Sequence, residues 1–166
     1  MARRDSGILV IGVGNELRGD DAAGLLAVRR LAAMGLDGVV FEEHGGEGTE
    51  LIEAWRDADS VFIIDAARAG SETGTVYRFD AAGEPLPRRL FRRSTHDFGV
   101  AEAVELAREL GRLPPRLVVF AIEGESFRHG TALSPGVDRA LAELERTAAS
   151  EIRAVRGRMT AKEKRC

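Results

Sequence analysis

Residues able to do chemistry gather in three short stretches of this 166-residue chain. The first is Gly12-Val13-Gly14-Asn15-Glu16-Leu17-Arg18-Gly19-Asp20-Asp21-Ala22-Ala23-Gly24. It begins like a dinucleotide fingerprint, but Leu17 stands where G-x-G-x-x-G needs its third glycine, and no Gly-Lys-Ser/Thr follows. Asp20 and Asp21 also occupy the place a phosphate would take, so nucleotide binding is not expected. Two adjacent aspartates at a helix start suit either capping and dipole compensation or a ligand role. The second stretch is Val61-Phe62-Ile63-Ile64-Asp65-Ala66. A carboxylate at the end of an apolar strand is costly unless paired, hydrogen-bonded or metal-bound, although aspartate is also a common turn former. The third is Ser94-Thr95-His96-Asp97-Phe98-Gly99, directly before a helix. There Ser94 or Asp97 suits the cap, and His96 is either a loop histidine or a donor. His44 and His129 are weaker candidates.

Asp21, Asp65 and His96 together make an O, O, N donor set drawn from three separate elements. Such a set suits a divalent metal of intermediate hardness with one position left open. An open position means metal-assisted chemistry, or capture of a metal held partly by another molecule.

The elements that must carry these residues follow from periodicity. Ile8–Val13, Val61–Ile64 and Leu117–Ile122 are continuous apolar runs that read as strands buried on both faces. Val39–Phe41 is a further strand, and Thr75–Phe79 alternates as a half-exposed edge strand. Helices are predicted over 20–34 with Gly35 closing it, over 49–56 with Thr49 as N-cap, and over 98–110 with Gly111 closing it. Ser134 and Pro135 open a last helix, whose stripe is Val137, Ala140, Leu141, Leu144, Ala148 and Ile152. Alternating strands and helices predict one α/β domain: a three-layer α/β/α sandwich around a largely parallel, twisted sheet of about five strands. In such sheets, ligands bind outside the carboxyl ends of the strands, where strand order reverses. Asp21, Asp65 and His96 are expected to converge on that rim.

Composition narrows the class. The chain is 44% hydrophobic and 31% charged, enough for one sizeable core, and collagen, disorder and a disulfide scaffold are excluded. No apolar run approaches a membrane span of roughly 20 residues, and the first residues lack a signal-peptide cleavage site, so a soluble cytoplasmic protein is expected. Cys166 is the single cysteine, so neither an internal disulfide nor a cysteine zinc site forms. Residues 151–166 hold six basic and two acidic side chains, leaving 18 basic against 25 acidic in the remainder. A body that acidic is not built for sequence-independent nucleic-acid binding. The domain is therefore placed at residues 1–156, with 157–166 as a solvated basic tail. Trp55 and Tyr77 read as packing residues.

These stretches resemble the hydrogenase maturation endopeptidases over about residues 7–150. The carrying motifs are Gly12-x-Gly14-Asn15-x4-Asp20-Asp21-x2-Gly24, Ile63-Ile64-Asp65-Ala66, Thr95-His96-Asp97-Phe98-Gly99 and Gly130-Thr131-Ala132-Leu133-Ser134-Pro135. The resemblance implies a helix-sandwiched sheet and a cytoplasmic endopeptidase dedicated to one substrate, a [NiFe]-hydrogenase large-subunit precursor, whose C-terminal extension it removes. It implies that the metal is nickel supplied by the precursor, with no organic cofactor, and that Asp21, Asp65 and His96 read it. Asp20 is then expected to orient Asp21 or a water. Attack by a metal-activated water and an aspartate acting as general base both remain open. His44 departs from the aspartate usual in the family's Asp-Gly-Gly-Thr loop, and reads as a specificity-loop residue before a ligand.

Arg88-Arg89-Leu90-Phe91-Arg92-Arg93 reads as a solvated loop, or as a surface holding acidic parts of the precursor. The alternative function is a nickel-sensing chaperone or checkpoint that docks the same precursor without cutting it. A phosphorylase on this fold is disfavoured by the carboxylate pair. A monomer is expected, since the precursor needs access to the rim.

Overall fold

Apolar side chains that alternate between two faces of every central strand determine the architecture. The computed structural model describes residues 7–91 and 98–165. In chain order the elements are β1 (Ile8–Val13), a short 3-10 turn (Gly19–Ala22), α1 (Ala23–Ala33), β2 (Val39–His44), α2 (Gly48–Ala54), β3 (Ser60–Ala67) and β4 (Val76–Asp80). A second 3-10 turn (Arg88–Leu90), α3 (Val100–Glu109), β5 (Arg116–Glu123) and α4 (Pro135–Glu163) complete the fold. The five strands lie in the order β2-β1-β3-β5-β4, and only β4 runs antiparallel to its neighbour. This is the expected sandwich.

Leu9, Ile11, Val61, Ile63, Leu117 and Val119 face α2 and α3, where they meet Leu51, Trp55, Val104 and Ala107. Ile8, Val10, Phe62, Ile64, Val118 and Phe120 face the other way, onto Ala27, Leu31, Leu141 and Leu144 of α1 and α4. Each full burial of such a side chain contributes about 1.5–3 kcal/mol, which is why both faces must be covered. The predicted edge strand is β4. Tyr77 and Phe79 turn inward and stack at 6.3 Å, while Arg78 turns outward to the carboxylate of Glu151.

From β1 the chain goes through α1 to β2 on one side, then back through α2 to β3 on the other side. Strand order therefore reverses between β1 and β3, and a crevice opens past their carboxyl ends. Close approach of backbones shapes that crevice. A Cβ on Gly24, in the first turn of α1, would lie 2.3 Å from the Ile64 carbonyl and 2.5 Å from the Val13 carbonyl. Only glycine lets α1 begin so near both strands. Gly14 has φ +155°, and a Cβ there would lie 1.8 Å from the Asp21 carbonyl, so the turn holding Asp21 folds directly against the strand end.

Four expectations are revised. β3 does not end at Asp65 but continues through Ala67, because Asp65, Ala66 and Ala67 keep their register with Ala121, Ile122 and Glu123 of β5. The helix predicted from residue 20 opens as a 3-10 turn before α1 proper starts at Ala23. Glu47 rather than Thr49 caps α2; its carboxylate takes the Glu50 amide and the Thr49 hydroxyl. Finally, α4 runs to Glu163 through most of the stretch read as a tail, and Met159 packs against the α1–α4 core. Among the described residues no helix is long and apolar enough to cross a membrane.

Candidate active site

The crevice at the switch point holds a cleft of about 450 Å³. Val13, Asn15, Arg18 and Asp21 supply one wall, Gly45, Gly46 and Glu47 of the β2–α2 loop another, and Asp65 the floor at β3. Phe91, Phe98, Gly99 and Val100 close the α3 side. Asp21 and Asp65 thus reach one cleft from two elements 44 positions apart in the chain. Both are withdrawn from bulk water, at 3% and 2% exposure. A carboxylate oxygen of Asp65 accepts from the Ala66 amide at 2.8 Å, which restrains its rotamer among the last residues of β3. The backbone of Asp21 is fixed as well: its amide donates to the Arg18 carbonyl at 3.1 Å and its carbonyl accepts from Asn15 at 3.2 Å.

His96, with Ser94 and Asp97 as expected caps and the arginines 92 and 93, lies outside the described residues. The cap position of α3 is Gly99, whose amide donates to the Glu102 carboxylate at 3.2 Å. Among the described residues no three His, Cys, Asp or Glu side chains converge as a metal-holding group. Of the expected O, O, N set, Asp21 and Asp65 line one cleft, and His96 falls outside the described residues.

Asp20 does something the sequence did not indicate. Its side chain is fully buried, and it turns away from α1 to the 125–134 loop. Its carboxylate accepts from the amides of Glu125 (2.7 Å), Ser126 (3.0 Å) and Ser134 (2.7 Å) and from the Ser134 hydroxyl (2.7 Å). Burial alone would raise its pKa, but these four donors outweigh it and hold the group below the ordinary aspartate value. The carboxylate expected to orient Asp21 or a water is instead engaged with this loop. Ser134 sits at the N-cap of α4 as expected, but it gives its hydroxyl to Asp20 rather than to the helix.

Glu123 repeats the device and was not singled out from sequence. At 2% exposure, it accepts from Ala69 at 2.9 Å and from Gly70 at 2.8 Å, fixing the segment that leaves β3. It closes an apolar run, Leu117–Ile122, just as Asp65 follows Val61–Ile64, so the same signal could have found it. His44, at the end of β2, places Nε2 2.9 Å from Glu42, while its carbonyl accepts from Gly14. Glu47 does line the cleft, and the Thr49 hydroxyl and Glu50 amide hold its carboxyl below the ordinary glutamate range. Arg88 and Arg89 lie exposed on the second 3-10 turn.

Comparison with known proteins bears on what such a cleft does. The family model described as hydrogenase maturation protease matches residues 27–151. The hydrogenase 2 maturation protease of Escherichia coli is 30% identical over 79% of this chain and 81% of its own length. The hydrogenase expression/formation protein HupD of Thiocapsa roseopersicina is 32% identical over 73% of this chain. The match spans only 56% of that relative, and 64% of the Bradyrhizobium diazoefficiens HupD. Among solved structures, the E. coli hydrogenase maturating endopeptidase HybD superposes with a TM-score of 0.76 at 25% identity, covering 89% of this chain and 93% of that one. The [NiFe] hydrogenase maturation protease HybD of Thermococcus kodakarensis gives 0.70 at 27% identity, covering 87% and 98%.

Proposed function

The chain belongs to the hydrogenase maturation protease family, and we propose that it is the endopeptidase that removes the C-terminal extension of a [NiFe]-hydrogenase large-subunit precursor. On this reading it acts as a cytoplasmic monomer, on a precursor that already carries nickel. One observation supports it above the others: Asp21 and Asp65, both buried, line a single cleft at the switch point of a fold shared with maturation endopeptidases.

The nickel enters as part of the substrate and supplies Lewis acidity beside the scissile peptide; Asp21 and Asp65, with His96, are the side chains that would hold it. The protein's own residues supply the rest. The Ala66 amide donates to one carboxylate oxygen of Asp65, which orients that side chain beside the cleft it lines. Asp21 rides on a turn that Gly14 and the Arg18 carbonyl pin to the strand end. Hydrolysis needs a water whose oxygen adds to the peptide carbonyl carbon. One carboxylate takes the proton released and returns it to the departing amide nitrogen. The half-buried Phe98 and the buried Phe91 line the same cleft and limit competing water. Asp20 acts at a distance, keeping the 125–134 loop against the turn that carries Asp21.

The test is substitution of each carboxylate by its amide. Asp21→Asn and Asp65→Asn are expected to lower precursor processing by about a thousandfold or more each, with thermal unfolding within about 5 °C of wild type. Processing within tenfold of wild type by either folded variant would contradict the assignment.

A further inference from the structure

Beside the cleft, and sharing Asp21 and Arg18 with it, lies a smaller notch of about 20 Å³. Its walls are Ala66, Ala67, Leu90 and Phe127, and its remaining charged lining residue is Arg68. The two arginines reach the notch from different elements, Arg18 from the turn after β1 and Arg68 from the residue following β3. Both backbones are pinned: the Arg18 amide donates to Asn15 at 3.2 Å and the Arg68 amide to Leu90 at 3.0 Å. The Arg68 guanidinium lies over the Phe127 ring, 5.5 Å from its centroid, which orients the plane while leaving its N–H edge available. Both side chains are exposed, and among the described residues neither makes an ion pair or side-chain hydrogen bond. Arg29 on the same rim is different, held by Glu16 at 2.9 Å and Glu43 at 2.7 Å.

Two guanidinium groups against the single carboxylate of Asp21 leave the notch lining with one net positive charge. The apolar floor lowers the local dielectric, which strengthens a charge-assisted hydrogen bond made at its mouth. The space holds only a water-sized or methyl-sized group, so a ligand lies across the notch rather than inside it. We infer that Arg18 and Arg68 form a carboxylate-binding subsite, which holds an aspartate or glutamate side chain of the precursor segment flanking the scissile bond. This rests on the endopeptidase reading above and adds a specificity determinant to it. The subsite anchors the segment on one side of Asp21, so that the bond to be cut falls over the cleft.

The experiment uses the full chain and nickel-loaded precursor, with the cut mapped by mass. Arg18→Ala/Arg68→Ala is compared with wild type on the native precursor and on one whose Asp and Glu residues near the cut are changed to Asn and Gln. The double variant is expected to raise KM about tenfold or more, with kcat within about threefold. Its unfolding temperature should stay within about 2 °C, since both side chains are exposed. The neutralised precursor should raise KM equally with wild type, and the double variant should then add nothing further. Arg68→Lys should fall between, because an ammonium keeps the charge and loses the fork. An unchanged KM in a double variant that still cuts would overturn the subsite, as would independent, multiplying effects of the two changes. So would a precursor with no acidic residue near the cut. Failure of wild type to shorten the precursor would overturn the endopeptidase reading itself, and the subsite with it.

Discussion

Asp20 and Glu145 are both carboxylates withdrawn from water, at 0% and 7% exposure, but they sit in differently built regions. Asp20 lies at the carboxyl-terminal rim of the sheet, where three amides and one hydroxyl converge on it. Glu145 lies between α4 and α1, where the guanidinium of the partly exposed Arg30 meets it at 3.2 Å. Their pKa values move in opposite directions. At Asp20 the four donors overcome burial and the pKa falls. At Glu145 burial is the larger effect, Arg30 offsets only part of it, and the pKa rises. Fixed amides hold a buried charge better than one long, half-solvated cation does, because their geometry is set by the fold in advance. The rim is where this chain concentrates such donors, around Asp20, Asp65 and Glu123. The rim fixes its buried carboxylates with backbone amides; the helical layer relies on a single side-chain cation at Glu145.

The comparison is broken most directly at Asp20. Replacing it with alanine leaves the Glu125, Ser126 and Ser134 amides without their acceptor, and is expected to cost about 3–5 kcal/mol. In a chain of this size that lowers the unfolding temperature by roughly 10 °C or more. Processing should fall with it, since the 125–134 loop loses its tie to the turn that carries Asp21. A drop below about 1 kcal/mol, measured by denaturant unfolding, would mean that the four bonds are not what holds the loop.

A pH titration of stability sharpens the contrast. The folded-state pKa of Asp20 lies below the ordinary aspartate value of 3.8, so its contribution is fully present above 3.8 and is lost as pH falls through the folded value. The gap between wild type and Asp20→Ala should therefore be flat at neutral pH and shrink in acid. Glu145 runs the other way. Its pKa is raised above 4.5, so its cost is absent in acid and appears as pH climbs from 4.5 through the folded value. The smallest effect is accordingly expected at Glu145→Gln, neutral to about 1 kcal/mol stabilising at pH 7 and null at pH 4. Clear destabilisation at pH 7 would show that the Arg30 pair is worth more than the burial it accompanies.

Much of this plan is legible in the residues, and the illegible part has a common cause. Ile8–Val13, Val61–Ile64 and Leu117–Ile122 declare themselves as buried strands because burial on both faces leaves no polar positions. The glycines around Asp21 and the apolar run before Asp65 mark the rim for the same local reason, and both aspartates do line the cleft. Long-range hydrogen bonds leave no such trace. Asp20 bonds to residues 105 to 114 positions away, and Ser134 looks like an ordinary helix cap until its hydroxyl is followed to Asp20. Glu123 and the segment after β3 are 53 and 54 positions apart. The extension of β3 past Asp65 is set by its register with β5, since Ala66 and Ala67 carry little strand preference of their own. The run of α4 into the basic stretch follows from helix-forming Ala, Arg and Met residues and from the anchoring of Met159, which charge counting overlooks.

On the proposed function, the rim of this sheet is an endopeptidase site that reads a nickel-bearing substrate. The direct test mixes purified protein with large-subunit precursor, nickel-loaded or nickel-free, and follows intact precursor mass over time. Loss of one C-terminal peptide from the nickel-loaded form alone is expected. A nickel-loaded precursor that binds yet keeps its full mass, or a nickel-free precursor cut equally fast, would contradict it.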